Sequence, residues 1–441
     1  MAIKLVHKHK IAVVGLWHLG EIYSVGLAEL GHHVVGISDD DIVIRNLLNN
    51  IPPLTEPELV ELLEKNQSSK RLTYTTDFSL IKNCEILWLT FDTPVDDQDE
   101  VDLSLIRDAL IKAVPFLQDG VLVVMTSQTP VGTAIEFKDM IRKTRPDLIF
   151  DYAYVPENLR LGESLHCFMN PVRIVVGAEN EKTFQLIREL FSSLKVNFIE
   201  MSPASAEMSK HALNSFLATS LTFAYDIADL CERVGADAID VIRALKSDDR
   251  IGPKAYLDAN VGFSGGTLGR DIKALLRVSL QIGVDIPVIS SVWEKGKDRR
   301  LIVLARLREQ LGLLEGKRVA LFGLTYKAGT TTMRRSLSLE VVGDLSSAGV
   351  VLRLHDPHAD IDGLKYLDGL CFFSRDPYET ACGVHAIVIM TPWPEFKNLD
   401  FAKLRKVLDS PAIFLDGRNF FLGKEQEITE AGFIYLGIGR S

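Results

Sequence analysis

An apolar run at residues 11–15, an amphipathic stretch at 21–30 and a second apolar run at 34–37 set a strand, helix, strand rhythm. Two apolar strands joined by one helix are the opening of a βαβ unit, which commits the chain to a parallel sheet. Further apolar runs at 86–89, 121–125 and 174–176 alternate with helical patterns at 103–114 and 182–194, as buried parallel strands do. From 204 to 234 the periodicity is helical with almost no breaker until Gly235, which suits a domain connector or a dimer spine. A second strand-and-turn series starts at 318–322 and continues through 339–348, 351–355, 386–389 and 412–415. The expectation is an α/β chain: two doubly wound, Rossmann-like domains joined by a central helical region with one long helix, divided at 1–200, 201–310 and 311–441.

At 441 residues, 47% hydrophobic and 24% charged, the chain has enough apolar material for several cores. A formal net charge of -10 leaves no basic footprint for nucleic acid or an anionic membrane surface. No window approaches the roughly 18 uninterrupted apolar residues of a spanning helix. The polar, basic stretch Met1 to Lys10 lacks the apolar core of a secretion signal, so a cytoplasmic protein is expected. Five cysteines, Cys84, Cys167, Cys231, Cys371 and Cys382, are odd in number and lack CxxC spacing. They read as buried small apolar residues, with neither a disulfide framework nor a metal site expected.

The first strand runs into Gly15-Leu16-Trp17-His18-Leu19-Gly20, which keeps the first and third glycines of the dinucleotide fingerprint GxGxxG and puts Trp17 at the second. That second glycine lets backbone approach a pyrophosphate, so the indole must turn away or push a cofactor outward. The second strand ends in Ser38-Asp39-Asp40-Asp41, about twenty residues beyond Gly20, where a carboxylate would accept hydrogen bonds from the adenosine ribose and favour NAD over NADP. A solvated acidic turn is the plain alternative, and the choice between Asp39 and Asp40 stays open.

Later segments carry a resemblance. Gly262-Phe263-Ser264-Gly265-Gly266-Thr267-Leu268-Gly269-Arg270-Asp271 resembles the GFGGxCxxKD loop of the UDP-glucose/GDP-mannose dehydrogenase family, with Thr267 at the cysteine. Glu207-Met208-Ser209-Lys210-His211-Ala212-Leu213-Asn214 resembles its ExxKxxxN helix, Ser127-Gln128-Thr129-Pro130-Val131-Gly132-Thr133 its STVPVGT loop, and Pro156-Glu157-Asn158-Leu159-Arg160-Leu161-Gly162 its PEFLxEG segment. Gly323-Leu324-Thr325-Tyr326-Lys327 through Arg334-Arg335-Ser336 resembles GLxFKxxTDDxRxS, and Thr93-Pro94, Arg250-Ile251-Gly252 and Asp416-Gly417-Arg418-Asn419 follow in the same order.

The resemblance implies NAD at Gly15, Trp17, His18, Leu19, Gly20, Asp39 or Asp40, Thr93, Pro94 and Gln128, with Lys327 near the phosphates. It implies a nucleotide sugar held by Leu159, Arg160, Phe263, Gly265, Arg334 and Arg418, with Arg250 reaching the neighbouring subunit of a homodimer. Lys210 and Asn214, four apart on one helix face, would hold the oxyanion that develops as hydride leaves, with Asp271 orienting the lysine or relaying a proton. Glu157 is retained, whereas Leu161, Gln128 and Thr267 replace residues of the second half of the family's reaction, in which the cysteine passes from thiohemiacetal to thioester. A thiol with a pKa of about 8.5 ionises beside a cation, while an alcohol needs a positioned base, and no aligned segment supplies one to Thr267. The expectation is NAD-dependent oxidation of a nucleotide sugar, UDP-linked, at C6 or another ring carbinol and without thioester chemistry. An epimerase that returns the hydride, a dehydrogenase that stops after two electrons and a non-catalytic nucleotide-sugar-binding protein are the alternatives.

Overall fold

The computed structural model describes residues 7–54, 56–93, 101–263, 265–360 and 371–440. The chain divides into two compact units, Met1–Ala212 and Leu213–Ser441.

The first unit is built on eight strands: β1 (Lys10–Val14), β2 (His33–Ile37), β3 (Leu72–Thr75), β4 (Ile86–Leu89), β5 (Val121–Met125), β6 (Phe150–Tyr154), β7 (Arg173–Gly177) and β8 (Asn197–Met201). Their order is β3-β2-β1-β4-β5-β6-β7-β8, so the first six form the doubly wound arrangement in which the chain leaves a central strand in both directions. Alternate residues of β1 explain why both sheet faces are covered. Ile11 and Val13 enter one apolar core, Ala12 and Val14 the other. The expectation that residues 174–176 lie in a parallel strand holds only on one side. β7 runs parallel to β8 but antiparallel to β6, meeting it at Tyr154 and Gly177. Between β6 and β7 the chain forms only the six-residue helix Ser164–Met169, not a full crossover helix.

In the second unit, β9 (Arg318–Phe322), β10 (Val351–His355), β11 (Phe372–Ser374), β12 (Ala386–Ile389), β13 (Ile413–Asp416) and β14 (Ile434–Gly437) form a wholly parallel sheet. Its order, β11-β10-β9-β12-β13-β14, repeats the winding of the first six strands. Residues 339–348, read with the strand series, lie almost wholly in the helix Leu337–Ser347 that connects β9 to β10.

The breaker-free stretch is one helix of 32 residues, Pro203–Val234, and the boundary between the units falls inside it. Among the described residues no helix is long and apolar enough to cross a membrane. All five cysteines are free, but only Cys84 and Cys231 are buried; Cys382 is exposed, which corrects the expectation for that residue.

Candidate active site

The turn after β1 needs its two glycines for different reasons. Gly15 has φ of +103°, and a Cβ there would lie 2.8 Å from the Phe91 ring. A Cβ on Gly20 would lie 2.0 Å from the Gly15 carbonyl oxygen, so only glycine lets the helix His18–Glu29 start this close to the strand. Trp17 occupies the N-cap position without a side-chain cap hydrogen bond and is 47% exposed.

The side chains of His18 and Leu19 turn inward, so these two positions can offer only backbone to a cofactor at the turn. Leu19 packs in the core, and the His18 Nε2 is 2.9 Å from Glu56 Oε1. Glu56, 3% exposed, also accepts from the Gly162 amide at 2.7 Å, the Ser164 amide at 3.0 Å and the Ser164 hydroxyl at 2.9 Å. Burial pushes its carboxyl up, but these donors outweigh it and hold the group below its usual range. This clamp between the glycine turn and the segment after Glu157 has no signature in the sequence. Asp40 caps the helix Asp41–Leu48, accepting from the Ile42 and Val43 amides at 2.8 and 3.2 Å. Asp39 stays exposed, its carboxyl held low chiefly by hydrogen bonding from the Lys112 ammonium. Thr93 is buried and donates to the Gln128 carbonyl at 2.9 Å, joining two expected cofactor residues. Pro94 lies outside the described residues.

Within the first unit, Lys210 is 8% exposed and its ammonium donates to the Glu157 carbonyl at 2.7 Å and to Glu157 Oε1 at 2.9 Å. The other Glu157 oxygen accepts from the Leu159 amide at 2.7 Å, so Leu159 contributes backbone that fixes Glu157. Arg160 points outward and pairs with Glu163 at 3.3 Å. One turn before and beside Lys210, the same helix anchors the 127–133 loop. Glu207, fully buried, accepts from the Gly132 and Ala134 amides at 2.7 Å each and thereby caps the helix Thr133–Thr144 from a separate element. Burial raises its carboxyl pKa despite those donors. His211 Nε2 meets the Thr129 carbonyl at 3.0 Å.

In the second unit, Asn214 donates to Asp271 Oδ2 at 2.5 Å, and both are buried. Within the first unit Glu157 holds the lysine, and within the second Asp271 fixes the carboxamide. The loop begins on a buried lattice: the Gly262 amide and the Tyr225 hydroxyl both donate to Asn260 Oδ1, at 2.8 and 3.1 Å. Arg418 donates to the Gly262 carbonyl at 3.0 Å and the Met390 carbonyl at 2.8 Å. Two of its guanidinium nitrogens thus bind backbone, and burial lowers its pKa. Phe263 stacks on Tyr225 with ring centroids 6.4 Å apart and packs over Gly296. Gly265 opens a π-helical turn, Gly265–Gly269, that feeds the helix Arg270–Ile282. Such one-turn π segments recur at functional sites. Thr267 lies in that turn, exposed, with its hydroxyl 3.2 Å from the Tyr326 hydroxyl. This partner is a phenolic hydroxyl and neither a carboxylate nor an imidazole.

Lys327 is half-buried and Arg334 exposed at the turn after β9, and among the described residues neither side chain forms an ion pair. Arg250 is 89% exposed at its side chain and pairs only with Asp248, two residues away.

Three family models match the chain in succession. Residues 9–195 match the NAD binding domain of the UDP-glucose/GDP-mannose dehydrogenase family, 204–296 its central domain and 320–422 its UDP binding domain. The chain is 34% identical over 433 residues to UDP-glucose 6-dehydrogenase TuaD of Bacillus subtilis, covering 98% of this chain and 93% of that one. It is 32% identical to UDP-glucose 6-dehydrogenase of Rhizobium meliloti, covering 98% and 99%. The structure of a UDP-glucose dehydrogenase from Pyrobaculum islandicum superposes with a TM-score of 0.90 at 27% identity, over all of both chains.

Proposed function

We propose that this chain, which belongs to the UDP-glucose/GDP-mannose dehydrogenase family, is an NAD-dependent dehydrogenase that oxidises the C6 carbinol of a nucleotide sugar. Residues 1–200 take the NAD, 311–441 the nucleotide, and 201–310 carry catalytic side chains and a dimer surface. The observation that supports this most is the Lys210 ammonium, buried at 8% exposure and held by both a carbonyl and a carboxylate of Glu157. A buried ammonium is costly unless it is paired, and one fixed this way is preorganised to stabilise negative charge.

Bound NAD supplies the hydride acceptor. Lys210 and Asn214, one helical turn apart, then hold the sugar oxygen as its charge grows, with Glu157 and Asp271 fixing the two donors. The half-buried Lys327 and the exposed Arg334 meet the diphosphate, and Asp39, left outside the capping that occupies Asp40, meets the adenosine ribose. UDP-glucose is the sugar to try first, because the named relatives act on it. Phe216, Phe223 and Leu230, spaced by seven along Pro203–Val234 and 69%, 48% and 61% exposed, support a homodimer packed on that helix.

Among the described residues Thr267 pairs with the phenolic hydroxyl of Tyr326 and with no carboxylate or imidazole, which supports hydride transfer without an acyl-enzyme on this side chain. The test incubates the protein with NAD and UDP-glucose, counts NADH per sugar consumed and examines the protein by mass spectrometry. NADH formation with no adduct at Thr267 is expected, and Lys210→Met is expected to lower kcat/KM by roughly 10²-fold to 10³-fold. Two NADH per sugar with a covalent adduct trapped on Thr267 refutes the Thr267 assignment. Binding of UDP sugars without any NADH, across several sugars, refutes the dehydrogenase itself.

A further inference from the structure

We propose that His7, His9 and Glu85 form a binding site for one divalent transition-metal ion, Zn2+ or a cation of similar chemistry. His9 and Glu85 immediately precede β1 and β4, which are neighbours in the first sheet, and the Glu85 amide donates to the Lys10 carbonyl at 2.9 Å. Backbone pairing therefore fixes where these two side chains start. The spacing His7-Lys8-His9 in extended chain returns the second imidazole to the same side.

Both rings converge on a single oxygen. Glu85 Oε2 lies 2.7 Å from His9 Nδ1 and 3.8 Å from His7 Nε2, and one donor atom from each of the three residues falls within 4.8 Å of the others. A zinc ion with bonds of about 2.0–2.2 Å in tetrahedral geometry separates its donors by roughly 3.3 Å. The observed distances straddle that value. The side chains that must adjust are the accessible ones, His7 at 68% and Glu85 at 47% exposure.

His9 is the rigid member: it is 4% exposed, and its ring lies 5.8 Å from that of His32. Among the described residues its Nε2 has no hydrogen-bond partner, so the polar contact of this buried ring is the one toward Glu85. The Lys10 amide, 3.4 Å from Glu85 Oε1, orients the carboxylate from behind, as outer partners of metal ligands do. An ordinary histidine–carboxylate pair needs only one imidazole; the second, brought to the same oxygen from the chain segment before the sheet, is what a metal requires. Imidazole and carboxylate donors suit Zn2+, Co2+ and Ni2+ over Mg2+ or Ca2+. The site lies at the opposite end of β1 from the glycine turn, so it clips the chain before β1 to the sheet and takes no part in hydride transfer.

The experiment titrates tag-free, chelator-treated, full-length protein with Zn2+ by calorimetry and with Co2+ by visible d–d absorption. One equivalent per chain is expected, with nitrogen and oxygen ligation in the Co2+ spectrum. His7→Ala and Glu85→Gln, both at accessible positions, should each weaken binding by at least about tenfold. Zn2+ should raise the Tm of the natural chain and leave that of His7→Ala unchanged, because a ligand stabilises only the state that binds it. Circular dichroism and NADH formation, both expected to be unchanged in the variants, report that they fold. No binding, or stoichiometric binding that survives both substitutions, overturns the site.

Discussion

The two sheets share a strand order but use the same topological corner in opposite ways. After β1, the helix His18–Glu29 starts at Trp17 with no side-chain cap, and the acid that follows β2 and is spared from capping, Asp39, reaches into solvent. After β9, the corresponding turn is closed from within. Asp356, fully buried just past β10, accepts from the Leu324 and Thr325 amides at 2.7 and 3.0 Å, the Thr325 hydroxyl at 3.2 Å and the Trp393 indole at 3.0 Å. Its second oxygen takes the His358 and Ala359 amides at 2.8 and 2.7 Å, and Ser336 caps the following helix. An uncapped helix start is a ready anion site, whereas a turn whose donors are already taken is not. On the function proposed above, side-chain cations such as Lys327 and Arg334 would hold the nucleotide on the second sheet, and backbone the one on the first.

The largest effect expected concerns the helix behind the open turn. Glu21 is fully buried, neither carboxylate oxygen has a hydrogen-bond partner among the described residues, and burial pushes its pKa to about 8. The folded protein therefore keeps this carboxyl protonated where the unfolded chain, near 4.5, ionises it. The associated stability is complete below about pH 4.5, is lost as pH rises to about 8, and amounts to roughly 5 kcal/mol over that window. Glu21→Leu should abolish that slope in denaturant unfolding measured at pH 5 and pH 8.5; an unchanged slope contradicts the account.

Next in size is the closed turn. Asp356→Ala strands six donors and should cost about 3 kcal/mol or more, while Asp40→Ala, an exposed cap after β2, should cost about 1 kcal/mol. Equal costs in thermal unfolding would erase the distinction drawn between the corners. A smaller effect is expected at Trp17. Trp17→Gly gives the first turn its missing close approach and should tighten NAD binding by about 1 kcal/mol, a factor of roughly five. Weaker binding in a titration would show that the indole helps. The smallest change is expected from Asp39→Ala, within about 1 kcal/mol in stability because its pair with Lys112 is exposed. Its effect should appear instead as a narrowed preference for NAD over NADP in steady-state kinetics.

Interior strands were legible because burial on both faces writes a continuous apolar run, as at 86–89 and 121–125. The edge strands β3, β8, β11 and β14 were not: β8, Asn197–Met201, is exposed or half-exposed along its whole length, so nothing in its composition separates it from a loop. β6 escaped for a different reason, since Phe150 and Asp151 are only half-buried and the run reads as mixed. In the candidate site, Lys210 and Asn214 could be grouped from the resemblance of 207–214 to the ExxKxxxN helix and their four-residue spacing. Glu56 could not be tied to His18 and Gly162, from which it is 38 and 106 residues distant in sequence, nor Tyr326 to Thr267 at a separation of 59. The backbone contacts of Arg418, to Gly262 and Met390, could not be read from the sequence either, since they span 156 and 28 residues.

Glu207 and His211 flank Lys210 on the long helix, and each grips the loop that leads into Thr133–Thr144. Helix and loop are thereby riveted at two levels, so thermal opening of one should expose the other. In hydrogen–deuterium exchange the amides of Gly132 and Ala134 should lose protection together with those around residue 211, as one cooperative event. Whatever breathing admits ligand to this protein, the ammonium travels with the loop bearing Gln128 as a single piece.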